Sequence, residues 1–179
     1  MKMLASLLVI FAFSACTRDI DFPDNPPTSN QNIPCDSMVI SVNEIAPGGS
    51  ADEPADWVEI YNPQTTSVSI SAGEWSVSDD PTEPGKYIMP AITIPSKSFI
   101  SILCDDINAF TGGVIHTNFK LSSSSGDFFG IYRKVSGQWK MMDGFTFNPQ
   151  AGPNSISRRP DGCGKWNYNT QATYQKSNV

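Results

Sequence analysis

Histidine is almost missing from this sequence: His116 is the only one in 179 residues. A zinc centre usually draws several His or Cys ligands, so a lone histidine argues against one. A Ser–His–Asp triad would have to be built on that one side chain. The serines near it, Ser122–Ser125, lack the glycines that frame a nucleophile elbow, so His116 reads as a structural residue. Positive charge is also scarce. Twelve Lys and Arg stand against 18 Asp and Glu, a net charge of −6. That balance leaves no basic footprint for nucleic acid and no polybasic stripe for anionic lipid. Charged residues of both signs make up only 17% of the chain. Ser, Thr, Asn, Gly and Pro take their place, as in turn-rich exported all-β proteins. There is no amphipathic helix of useful length and no internal repeat. Nor is there an apolar run of the roughly 20 residues that a membrane-spanning helix needs.

The longest apolar run is Met3–Phe13, MLASLLVIFAF, behind the short basic start Met1–Lys2. It fits the core of a signal peptide. Ser14-Ala15-Cys16 follows at once and resembles a bacterial lipobox, with Phe13 in place of the usual Leu or Val. The resemblance implies cleavage before Cys16, removal of residues 1–15, and acylation of the Cys16 thiol. Loss of Lys2 would leave 11 bases against 18 acids, 11 − 18 = −7. The implied product is a cell-envelope lipoprotein, held by acyl chains and most naturally placed in the outer membrane. Residues 16–34 are dominated by Pro, Asp, Asn and Ser and cannot bury enough surface to fold. They read as a tether, partly stiffened by Pro23, Pro26 and Pro27. Residues 35–179 form the domain, a size at which a real core can be buried.

Within the domain the pattern is short strands between turns. Asp56–Asn62, DWVEIYN, alternates: Val58 and Ile60 share one face, while Trp57, Glu59 and Tyr61 share the other. Phe99–Cys104 alternates in the same way, with Ile100, Ile102 and Cys104 in line. Further strands are expected at Met38–Ile45, Val68–Ile70, Trp75–Val77, Tyr87–Ile94, Phe119–Leu121, Phe128–Arg133, Ser155–Arg159 and Trp166–Tyr168. Trp139–Phe147 is expected as two segments broken by the hairpin-type dipeptide Asp143-Gly144. Many short strands at near-regular spacing indicate an all-β sandwich or barrel, with Val58, Ile60, Ile100, Ile102, Phe129 and Ile131 facing inward.

The ordered set of strand sequences resembles the lamin tail domain, an immunoglobulin-like β-sandwich. The matching pieces are Asn43-Glu44-Ile45, Asp56–Asn62, Trp75–Asp80, Ile92-Thr93-Ile94-Pro95, His116–Leu121 and Ser157–Gly162. They run in order from about Met38 to Trp166. The resemblance implies an immunoglobulin-like fold and an interaction module, and it implies no reaction.

The expected function is therefore a membrane-anchored, non-catalytic binding or scaffolding module with no cofactor and no metal. Its expected partner is a protein or glycan of the cell envelope. A surface glycan-binding accessory protein of a nutrient-uptake system is one alternative, and an accessory domain of an exported hydrolase is another. Trp57, Glu59 and Tyr61 could form a binding surface if their face is open; a neighbouring segment would otherwise cover it. The acids near Asp52–Glu59 and the pairs Asp79-Asp80 and Asp105-Asp106 lack the D-x-D-x-D-G spacing of a calcium loop. They read as solvated turn residues with ordinary pKa values. Arg158 and Arg159 are expected to pair with loop acids. With Cys16 acylated, Cys35, Cys104 and Cys163 remain. Cys104 ends an apolar face and is expected as a buried thiol. First and last strands can lie close in such a sandwich, which makes Cys35–Cys163 the expected bridge.

Two or more acyl chains give stable membrane attachment where one gives only a marginal hold. Cys16→Ala should leave the protein soluble or unprocessed. Membrane fractionation and intact mass check this, and no change in either would refute the lipobox reading.

Overall fold

The computed structural model describes residues 38–150 and 154–178. Segments 1–15 and 16–34, with Cys16, and also Cys35, lie outside the described residues. The regular elements described are all strands, and no helix among them is long and apolar enough to cross a membrane. In chain order they are β1 Ser41–Ala46, β2 Trp57–Tyr61, β3 Val68–Ile70, β4 Trp75–Ser78, β5 Tyr87–Ile88, β6 Ile92–Ile94 and β7 Phe99–Leu103. Then follow β8 Ala109–Thr111, β9 Val114–His116, β10 Asp127–Val135, β11 Gln138–Phe147, β12 Asn154–Arg159 and β13 Lys165–Gln171.

The strands form a sandwich-like all-β fold. One sheet has seven strands in the order β13-β12-β1-β2-β7-β9-β8, and the other has four in the order β11-β10-β4-β5. A short β3-β6 ribbon stands beside them. Pairing is antiparallel except between β7 and β9. Alternation explains the core. Val42, Ile45, Val58, Ile60, Ile102, Ile115 and Ile156 of the large sheet meet Val77, Phe129, Ile131, Phe145 and Phe147 of the small one. The five expected inward residues Val58, Ile60, Ile102, Phe129 and Ile131 are fully buried, and Ile100 packs against them half-buried.

A charge pair joins the two sheets inside this apolar layer. The β1–β12 ladder has its register at Glu44 and Ile45, and side chains take over at Val42. Val42 N–H donates to Asp143 Oδ2 of β11 at 2.8 Å, and Arg158 Nε of β12 donates to Val42 C=O at 2.8 Å. Arg158 Nη2 closes the loop on Asp143 Oδ1 at 2.8 Å, where Gly144 N–H also donates. Trp166 lies over the guanidinium at 4.6 Å and stacks on Phe145 at 4.4 Å between ring centroids. Burial raises the Asp143 carboxyl above its ordinary pKa, while Arg158 and the two amides pull it back.

Three expectations change here. Asp143-Gly144 is no hairpin: it lies inside β11, one residue past a bulge in the β10–β11 ladder. The hairpin turns instead at Ser136-Gly137, both at positive φ (50° and 82°), as a tight two-residue turn demands. Arg158 pairs with a buried strand acid and not with a loop acid. Phe119 and Leu121 are buried but lie outside any strand; the chain pairs earlier, in β8 and β9. Among the cysteines, Cys104 is a free buried thiol and Cys163 is disulfide-bonded, while Cys35, its expected partner, lies outside the described residues.

Removing one partner of a buried ion pair strands the other, at a cost of about 3–5 kcal/mol. Arg158→Met should therefore destabilise the domain by about that amount in urea unfolding. Adding Asp143→Asn should recover part of the loss, because Asn still accepts the Val42 amide without a charge. A loss below about 1 kcal/mol for Arg158→Met would show that the pair carries little of the fold.

Candidate functional site

The face of the large sheet turned away from the core carries three rows of side chains, set by the ladder registers. Ala46, Trp57 and Leu103 make one row, Glu44, Glu59 and Ser101 the next, and Ser41, Tyr61 and Phe99 the third. Asn43 falls at the register shift between Val42 and Glu44, so Val42 and Glu44 keep opposite faces.

This face is covered. After β13 the chain turns back as a strap, Ala172–Asn178, over the first two rows, and the β12–β13 turn packs on Ser41 and Tyr61 of the third. Tyr174 meets Trp57 edge-on at 5.2 Å and completes a small apolar cluster with Ala46, Leu103, Val114 and Ala172. Thr173 N–H donates to Glu44 Oε1 at 3.1 Å and its hydroxyl lies 2.6 Å from Glu44 Oε2. Ser155 Oγ of β12 donates to Glu44 Oε1 from the other side, and Gln175 N–H donates to Glu59 Oε1. Asp161, in the β12–β13 turn, receives Asn178 N–H at 3.0 Å, the Ser177 hydroxyl, and the Asn43 amide at 3.2 Å. Gly162 holds the turn against the sheet: at φ 80° a Cβ there would lie 2.5 Å from the Tyr61 ring.

Trp57 and Glu59 are therefore not an exposed binding surface, since both are 0% exposed. Tyr61 is half-buried and packs on Phe99 at 4.9 Å. The expected ordinary acidity of the carboxylates is overturned as well. Glu44 and Glu59 face each other directly across β1 and β2, fully buried, and among the described residues neither forms an ion pair. Burial pushes the Glu59 carboxyl up to about 8 against the Gln175 amide; Glu44 and Asp161 add to the rise, and the Asn43 amide opposes it. Burial raises Glu44 too, opposed by Ser155 and Thr173.

The other sequence-selected groups are spread out. His116 Nδ1 meets Asp105 Oδ2 at 2.6 Å, while Ser122 Oγ lies 2.6 Å from Ser125 Oγ within its own turn. Asp79 pairs with Lys86 at 2.7 Å, and Asp80 receives the Thr82 amide and hydroxyl. Asp56 accepts Leu121 N–H at 3.0 Å, and burial raises its carboxyl. Among the described residues no three His, Cys, Asp or Glu side chains stand together where they could hold a metal ion.

Alternation alone misses a second feature, a cleft of about 430 Å³ between β5 and β8, edge strands of the two sheets, with Lys86, Asn108 and Asn118 on its wall. Ile88 and Phe110 line it with Tyr87, Pro90 and Ala109. Ile88 and Phe110 are 47% and 46% exposed, and Ile107 nearby is 61% exposed. Tyr87 Oη donates to Ala109 C=O at 3.1 Å across its floor. The available sequence signal is three large apolar residues beside turn residues, with no alternating partner.

A carboxyl whose folded pKa lies above its unfolded value stabilises the fold at low pH, and that stability is lost as pH rises toward the folded value. For Glu59 the window runs from about 4.5 to about 8. Stability by urea unfolding should fall across it by up to about 1.4 kcal/mol per pH unit, and Glu59→Gln should flatten the slope. A wild-type profile that rises through this window would contradict the assignment.

No family model, no curated protein sequence and no solved structure matches this chain.

Proposed function

We propose that this chain is an exported lipoprotein of the cell envelope, held by acyl chains on Cys16, whose domain is an immunoglobulin-like sandwich of the lamin tail type acting as a non-catalytic protein-binding module. Support for the lamin tail reading is that Asn43–Ile45, Asp56–Asn62, Trp75–Asp80 and Ile92–Pro95 fall on or across β1, β2, β4 and β6, with Ser157–Gly162 closing β12.

The observation that carries the binding role is the cleft between β5 and β8. Clustered exposed apolar side chains mark interaction surfaces more often than isolated ones do. Here Ile88 and Phe110 line one cleft between two edge strands, and Ile107 is exposed three residues before Phe110; an exposed edge can accept an added strand from a partner. A protein partner is preferred to a glycan because a flat aromatic platform on Trp57 and Tyr61 is what a glycan would need, and Tyr174 of the strap covers Trp57 while the β12–β13 turn packs on Tyr61.

Burying an Ile or Phe side chain is worth about 2 kcal/mol, so Ile88→Asp with Phe110→Asp should weaken binding by well over tenfold. The check is cross-linking on intact cells expressing the wild-type or the double variant, with circular dichroism to confirm the fold. The wild type should capture an envelope protein that the variant loses. Equal capture by both would remove the cleft from the proposal.

A further inference from the structure

We propose that the strap Ala172–Asn178 is a proton-gated latch: it lies closed while the Glu44–Glu59 pair holds a proton, and it opens as the pair becomes fully ionised. This goes beyond the interaction role and does not depend on it.

The geometry is the first support. Like charges directly opposite each other on neighbouring strands repel, and these two are fully buried on register partners. Among the described residues no cation pairs with either of them. On β1 the titratable neighbour is Glu44 itself, and from the β12–β13 turn it is Asp161, another acid. Ser101 of β7, opposite Glu59, carries no charge. Arg158 leaves β12 on the core side to meet Asp143. The strap itself supplies Tyr174, which lies near Glu53 as well as Glu59, and Lys176, which reaches out to Asp52 at 3.6 Å.

A count of hydrogens is the second support. The Thr173 hydroxyl stands 2.6 Å from both Glu44 Oε2 and Asn178 Oδ1. It has one proton for two acceptors. The Asn178 amide is oriented by its Nδ2, which faces Asn43 C=O at 3.4 Å. A proton on Glu44 Oε2 resolves the arrangement: Glu44 donates to Thr173, and Thr173 donates to Asn178. The raised pKa values of both carboxyls agree with this.

The third support is how little else holds the strap. Its apolar attachment is Ala172 and Tyr174 against Trp57, Ala46, Leu103 and Val114. Its other described bonds run to Glu44, Glu59, Asp161 and Asn43, with a Tyr174–Ser101 side-chain bond and an exposed Lys176–Asp52 ion pair beside them. Under it, Trp57 Nε1 and Glu59 Oε2 are buried without hydrogen-bond partners among the described residues, which costs free energy only while the strap is closed. Opening would free Trp57 and both carboxylates to water and leave the core between the sheets in place.

The sign follows from linkage. In the open state the carboxyls titrate near their ordinary values, and in the closed state they hold protons to higher pH. The open fraction therefore grows by about tenfold per pH unit between the two values and levels off above the closed-state value.

The test is amide hydrogen exchange by NMR on the full chain in detergent, from pH 5 to 9, corrected for intrinsic exchange. Opening at the Thr173 and Gln175 amides should rise by about tenfold per pH unit up to about pH 8 and then flatten, while Ile131 on β10 stays far more protected throughout. Glu59→Gln should lose the rise that continues to about pH 8 and flatten at lower pH, because Glu44 alone then holds the proton. Glu44→Gln should keep a slope but move the plateau to lower pH, because the pair titrates as a unit. A flat wild-type profile overturns the proposal, as does a plateau that stays at about pH 8 in Glu59→Gln. Strap amides that exchange no faster than Ile131 overturn it too, since opening would then be global unfolding. Should Glu59→Gln fail to fold, the Glu44→Gln profile decides, and a plateau that does not move overturns the latch.

Discussion

The fold hangs on the buried charge pair between Asp143 and Arg158. Strand β1 is paired on both sides within the large sheet, yet beyond Glu44 its ladder to β12 is replaced by side chains. Without that replacement the Val42 amide and carbonyl would sit in the core with no partner, which few buried backbone groups tolerate. One carboxylate and one guanidinium satisfy both groups and each other. Asp143 comes from the small sheet and Arg158 from the large one, so the same bonds fix how the two sheets sit over each other. The apolar core packs at van der Waals density and favours many small offsets about equally; a charged, hydrogen-bonded link has one good geometry. The stacking of Trp166 on Phe145 and over Arg158 follows from that fixed offset.

Much of this architecture was legible in the chain, and the failures have physical causes. Alternation in Asp56–Asn62 and Phe99–Cys104 assigned inner and outer faces correctly, because a strand has only two faces and apolar residues must choose one. What covers the outer face was not legible. The cover is ATYQKSN, a polar segment with one aromatic ring, bound by hydrogen bonds that leave no periodic trace. A strand buried on both faces also admits polar residues on one of them, so Glu59 between Val58 and Ile60 read as solvated. Asp143-Gly144 failed for a different reason. The dipeptide has a real local preference for a tight turn, but the ion pair to Arg158 and the bonds to Val42 outweigh it, and the turn moves to Ser136-Gly137. The cleft between β5 and β8 depends on which strands end up at the edges, and that is a property of topology.

The protein handles buried acids in two opposite ways, and the contrast carries the functional argument. Asp143 is given a guanidinium and two amides, so ionisation is matched by partners on every side. Glu44 and Glu59 are given hydroxyls, amides and each other. Both arrangements supply hydrogen bonds, but only the first leaves no carboxylate oxygen without one and balances charge. An unbalanced pair of acids in a core strand would cost stability to no purpose that the core itself reveals, since two apolar residues would pack there more favourably. The cost makes sense where the covering element is one that moves. The matched acid therefore sits between sheets that must stay together. The unmatched acids sit under a short segment that follows β13, where the same electrostatics loosen a cover without disturbing the core.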